Sequence, residues 1–115
     1  MERLLLIGDE TFGIHFFKLK VYSDDIKSYV LSEREVQIRR GDEVIKLESV
    51  NNIINEFDEH EREKISYERP KIIMITFSNK EFLLDILMKE EFPEGIFVDD
   101  LKHIVKLEEF IEKNK

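Results

Sequence analysis

Apolar residues recur along this chain in three patterns, and each predicts a different element. The first is the short unbroken run. Residues 3–7 (RLLLI) and 71–77 (KIIMITF) set apolar side chains next to one another, the mark of a strand buried on both faces. The second run is also rich in β-branched residues, which predicts a central strand.

The second pattern is alternation. In residues 14–22 (IHFFKLKVY), Phe17, Leu19 and Val21 alternate with Lys18 and Lys20, predicting a half-buried strand. Residues 36–39 and 44–47 alternate on either side of Gly41-Asp42, predicting a β-hairpin whose tight turn uses Gly41 for a positive φ. Residues 96–98 and 103–105 are two more short strand-like runs, separated by Asp99-Asp100-Leu101-Lys102.

The third pattern has helical period. Val50, Ile53, Ile54 and Phe57 fall at i, i+3, i+4 and i+7, predicting a helix capped by Ser49 that frays into residues 60–64 (HEREK). Phe82, Leu83, Ile86 and Leu87 predict another. Its start reads as the capping box Ser78-Asn79-Lys80-Glu81, and Pro93 and Gly95 end it. A short C-terminal helix over residues 107–113 turns Leu107, Phe110 and Ile111 inward. Residues 23–31 (SDDIKSYVL) fit either a short helix capped by Ser23 or a strand beginning near Tyr29.

Strands followed by helix, strand, helix, strand pair and helix define an α+β fold. The expectation is a single domain over residues 1–115. A mainly antiparallel sheet of five to seven strands carries two main helices packed on one face and a short C-terminal helix. Its core draws on Leu5, Ile7, Phe17, Leu19, Val36, Ile38, Ile53, Phe57, Ile73, Ile75, Phe77, Leu83, Ile86, Leu87, Val98, Val105 and Phe110.

Composition narrows the function. The chain has 115 residues, 42% apolar and 38% charged, as expected of a soluble globular domain with a real core. The absence of cysteine excludes disulfides, thiolate zinc sites, iron–sulfur clusters and cysteine nucleophiles. The apolar run before Gly8 is too short for a signal-peptide core or a membrane span, so a cytoplasmic location is expected. There is no alanine, and Ile, Lys, Glu, Phe and Asn are favoured, a usage typical of AT-rich codons and hence of a low-GC bacterium.

The formal charge is −8, and it is concentrated. Residues 48–63 hold six acids against Arg62 alone, and residues 81–100 hold seven against Lys89 alone. Such a surface repels phosphate backbones and anionic lipid, so neither nucleic acid nor a membrane is an expected partner, and a basic protein is. The same acids also serve solubility. The candidate partner-binding residues are Glu56, Asp58, Glu59, Glu61, Glu63, Glu90, Glu91, Glu94, Asp99 and Asp100.

Candidate chemistry centres on residues 96–107 (IFVDDLKHIVKL), where Asp99 and Asp100 precede His103. Adjacent aspartates between two short strands are favoured in a solvated turn, because their carboxylates bond backbone amides. A catalytic metal site needs about three protein ligands. The three histidines, His15, His60 and His103, stand in separate segments, and His60-Glu61 is followed by Lys64 where a zinc-protease helix has its second histidine. The chain contains neither a GxGxxG nor a GxxxxGK[ST] run, and no GxSxG elbow. Arg40-Gly41-Asp42 is the composition of a hairpin turn. Phe17 is in phase with the core and only Phe16 points out beside Lys18 and Lys20, so no aromatic platform for single-stranded RNA is expected.

The expected function is therefore a small acidic protein-binding module without catalytic residues, metal or cofactor. Its physical type is that of immunity or inhibitor proteins that neutralise basic, nuclease-type bacterial toxins, where acidic side chains occupy a groove built for phosphate. A small enzyme or ligand-binding domain using Asp99, Asp100 and His103 is an alternative, as is a non-catalytic subunit of a larger assembly.

Overall fold

Strands buried on both faces belong inside a sheet, and the two unbroken apolar runs lie there side by side. In the computed structural model, which describes residues 1–18, 21–50, 57–65 and 67–115, they form β1 (Glu2–Gly8) and β6 (Lys71–Phe77). These pair antiparallel from Glu2 opposite Phe77 to Gly8 opposite Lys71. Around them stand β2 (Val21–Ser23), β3 (Ile26–Val30), β4 (Glu35–Arg40), β5 (Glu43–Ser49), β7 (Phe97–Asp99) and β8 (Ile104–Lys106). The order across the sheet is β2-β3-β4-β5-β6-β1-β7-β8, and every pairing is antiparallel. Among the described residues, three helices complete a compact α+β domain: α1 (Glu59–Lys64), α2 (Lys80–Lys89) and α3 (Leu107–Asn114).

The alternation of side chains along each strand divides the buried residues into two clusters. Leu4 and Leu6 of β1 and Ile73, Ile75 and Phe77 of β6 join Val36, Ile38, Ile45 and Leu47, together with Phe82, Leu83, Ile86 and Leu87 of α2 and Leu107 and Phe110 of α3. Leu5 and Ile7 of β1 and Ile72 of β6 join Phe57, Ile65 and Ile104 in the second. Unbroken runs thus mark the strands covered on two sides, while the alternating strands of the β4–β5 hairpin bury one side only. Val105 is only partly buried. Leu19 and Ile53 lie outside the described residues.

Among the described residues eight strands stand where five to seven were expected, because the segment from residue 14 to residue 31 is built differently. Ile14–Phe17 is a 3-10 turn, not a strand. A strand would send Phe16 and Phe17 to opposite faces. In the tight turn the two rings lie 5.5 Å apart, and both meet Phe92, at 5.4 and 6.0 Å. Phe16 therefore packs on the core, where it was expected to point out. Residues 23–31 supply no helix capped by Ser23. They enter a hairpin in which β3 runs from Ile26, and the Ser23 hydroxyl donates to the Asp25 carboxylate (2.6 Å) inside the turn.

Of the two expected helix starts, one shifts and the other borders residues outside the described ones. Ser49 is the last residue of β5, opposite Ile73, and its amide donates to the Arg34 carbonyl (2.9 Å). It therefore belongs to the ladder. Half of the stripe it was expected to open, Ile53 and Ile54, falls on residues 51–56, outside the described residues; so does part of the expectation that two main helices share one face. Asn79, not Ser78, caps α2: its side-chain oxygen accepts from the Phe82 amide (3.2 Å). Asn79 also donates to Glu43, and Arg40 bonds both Glu43 (3.1 Å) and Asp85 (3.3 Å). The Asn79 cap is thereby tied to the β4–β5 hairpin through Glu43. No helix among the described residues is long and apolar enough to cross a membrane.

Candidate functional site

The residues 60–64 that were expected to fray form α1 itself. Asp58 and Glu61 make a reciprocal capping box: the Asp58 carboxylate accepts from the Glu61 amide (2.8 Å), and the Glu61 carboxylate accepts from the Asp58 amide (3.0 Å). Two orphan amides of a six-residue helix are satisfied in this way. The box fixes the polar first turn of α1 above the second apolar cluster, while Phe57 and Ile65 on either side of the helix anchor it there.

Across from α1 stands the β7–β8 hairpin. The Asp100 amide donates to the His103 carbonyl (3.2 Å), leaving Leu101 and Lys102 as the two central residues. Leu101 has φ +74°, the only non-glycine residue with positive φ among the described residues. Two-residue hairpin loops take glycine at such a position. Here two carboxylates hold the turn instead. Asp99 accepts from the Leu101 amide (2.8 Å), and Asp100 accepts from the amides of Lys102 (2.9 Å) and His103 (2.8 Å).

The two aspartates differ in setting, and only Asp100 fits the expected solvated turn. Asp99 is the last residue of β7, two residues after Phe97 and therefore on the same face. Its cross-strand neighbours are Leu5 of β1 and Ile104 of β8. At 5% exposure it is the only buried charged side chain among the described residues. Burial pushes its carboxyl above the ordinary value; the Leu101 amide opposes this, and the charges of Glu61 and Asp100 add to it. For Asp100, partial burial acts upward, but the His103 and Lys102 amides and the charges of those two residues outweigh it, so its carboxyl sits below the ordinary value.

Between α1 and this turn lies a cleft of about 500 Å³. Leu5, Phe57 and Ile104 give it an apolar floor. Asp58, His60, Glu61 and Lys64 line it from the α1 side, and Asp99, Leu101, Lys102 and His103 from the hairpin. Acids from both charge-rich blocks, far apart in sequence, thus meet: Asp58 and Glu61 from the first, Asp99 from the second. Asp100 faces the turn amides. Glu59 and Glu63 are exposed on α1. Glu90, Glu91 and Glu94 follow α2 and do not line this cleft; Glu90 instead acts on the buried Tyr22 hydroxyl, whose pKa is raised chiefly by burial. Glu56 lies outside the described residues.

Sequence reasoning missed His60, Lys64, Leu101 and Lys102 as lining residues. Two signals were present. Asp58-x-x-Glu61 is a capping-box spacing that places a helix start, and Asp99 stands in the apolar phase set by Phe97. Among the described residues, no group of three or more His, Asp or Glu side chains is arranged to hold a metal ion. Comparison of the chain with protein-family models, curated proteins and solved structures finds no match.

Proposed function

We propose that this protein is an acidic protein-binding module whose recognition face is formed by α1 and the β7–β8 turn, and that its partner presents a basic surface. The convergence of Asp58, Glu61 and Asp99 on one cleft, flanked by the exposed Glu59 and Glu63, carries this reading. Complementary charge of this kind steers association and raises its rate by one to three orders of magnitude at low salt. A nuclease-type toxin, basic where it holds phosphate, is the partner chemistry that fits, and the protein would act as its inhibitor or immunity protein.

The test is capture of partners from the native organism, followed by association kinetics of the captured protein with wild type and with a Glu59→Lys, Glu63→Lys double variant. Neither glutamate takes part in the capping box, so that cap is left intact. The expected result is slower association with a weaker salt dependence. Binding that is unchanged by the reversal removes the proposal.

A second reading is favoured by one observation: Asp99, with its raised carboxyl, and His103 share the cleft. That is the pairing an acid–base enzyme would use. Asp100 is committed to the turn and would take no part. In this reading Asp99→Asn and His103→Gln each abolish turnover of a small substrate while leaving partner association intact.

A further inference from the structure

We infer that the Asp99 cleft seats one cationic side chain of the partner, an alkylguanidinium or alkylammonium, with Leu101 packing against the partner at its rim. This rests on the protein-binding reading above and names the centre of the recognition face.

The first argument is the uncompensated charge. A buried carboxylate is ordinarily paired with a cation or richly hydrogen-bonded. Asp99 has one amide bond, from Leu101, and the charges acting on it, Glu61 and Asp100, have its own sign. Lys64 and Lys102 line the same cleft, yet neither forms an ion pair with it among the described residues. Its position is also one where an apolar residue would pack between Leu5 and Ile104. A cation from outside would supply the missing counter-charge.

Shape and composition indicate what kind of cation. About 500 Å³ lies in the range of ligand-sized pockets, roughly 300–1,000 Å³. A floor of Leu5, Phe57 and Ile104 suits the methylene stem of arginine or lysine, whose charged head would then reach Asp99 and Glu61. Asp58 and Glu61 each have an oxygen held in the capping box, and Asp100 is held by the turn, so few carboxylate oxygens remain to encircle a bare metal ion.

Leu101 adds an independent observation. It is 66% exposed and held at positive φ, a conformation that destabilises an L-residue by about 1–2 kcal/mol. Glycine serves the equivalent position in the β4–β5 turn. Retaining leucine delivers an apolar side chain to solvent beside a buried acid, where a partner would cover it.

The experiment is a titration of the full ¹⁵N-labelled chain, followed by amide chemical shifts, with N-acetyl-arginine amide, N-acetyl-lysine amide, the neutral N-acetyl-norleucine amide and Mg²⁺. The two cationic amides are expected to shift the resonances of Glu61, Leu101, Lys102 and His103 saturably at up to about 50 mM, the range of a single charge-assisted contact, and the neutral analogue is not. Asp99→Asn keeps the acceptor for the Leu101 amide and should weaken binding about tenfold. Should that variant lose its dispersed spectrum, Glu61→Gln, which keeps the capping acceptor, decides instead, with a smaller loss.

No saturable shift with either cationic amide, equal affinity in the folded variant, or tighter binding of Mg²⁺ to the same resonances overturns the cation seat. The two proposals separate cleanly. A partner sensitive to reversal of Glu59 and Glu63, with a cleft indifferent to arginine amide, keeps the acidic face and removes the seat. Arginine amide bound at Asp99, with a partner indifferent to the reversal, removes the acidic face and keeps the seat.

Discussion

Two hairpins of this sheet turn in the same way with opposite materials. Between β4 and β5, Arg40 pairs with Glu43 and the loop is Gly41-Asp42; Gly41 takes φ +58° and a Cβ there would meet nothing within 4 Å. Between β7 and β8 the loop is Leu101-Lys102, and leucine takes φ +74° at the matching position. The first turn adopts its conformation at no steric cost. The second requires three hydrogen bonds from amides to two aspartates and leaves a leucine in solvent. A turn needed only for reversal takes the glycine solution. The other keeps leucine against its own backbone preference, beside a buried acid, as the proposed contact with a partner would require.

The contrast can be broken by substitution. Asp100→Ala removes the acceptor for two amides and should destabilise the protein by about 1.5 kcal/mol, read from the midpoint of denaturant unfolding. A midpoint equal to wild type would mean that Leu101 holds its conformation without help. Gly41→Ala meets no neighbour, so its effect is that of the backbone alone: a loss of about 1 kcal/mol once the gain from a stiffer unfolded chain is subtracted.

Asp99 and Asp100 should give opposite dependences on pH. Burial and two like charges raise the Asp99 carboxyl. The native state therefore binds more protons than the unfolded chain between the ordinary carboxylate value and the raised one, and stability falls as pH rises through that window. Asp99→Asn should remove this fall and be the more stable protein above the window. The lowered Asp100 carboxyl acts the other way: its contribution is present above the ordinary carboxylate value and is lost as pH falls through its own. Unfolding curves between pH 3 and 8, as a working range of order set by carboxylate titration, distinguish the two; an Asp99→Asn profile parallel to wild type throughout would deny that Asp99 is buried charged.

Leu101→Gly relieves the positive-φ penalty but loosens the unfolded chain, leaving a net gain of roughly 0.5 kcal/mol. It should lose partner affinity at the same time, and a destabilised variant would show that leucine is there for the fold. Asp42, which accepts no hydrogen bond within its own turn, should tolerate alanine within about 0.5 kcal/mol.

Much of the sheet was legible because burial follows period. Residues 71–77 read as a central strand and are one; Val36 and Ile38 alternate with Gln37 and Arg39 and are buried on one side as expected. The misreadings have one cause: local patterns that two geometries satisfy equally. Phe16-Phe17 fits a strand until Phe92, 75 residues later, draws both rings together. Ser78-Asn79-Lys80-Glu81 offers two possible caps, and Asn79 also reaches Glu43 across the fold.

The chain by itself determined the class of fold, the strands with a clear period and the two acidic blocks, because these depend on neighbours within a few residues. Only the tertiary structure decided that the blocks meet. Asp58 and Asp99 converge because β1 lies between β6 and β7, which carries the β7–β8 turn to the same face as α1. The same pairing put Asp99 between Leu5 and Ile104. Its burial is a property of three strands together, and no short stretch of sequence encodes the dielectric around a side chain.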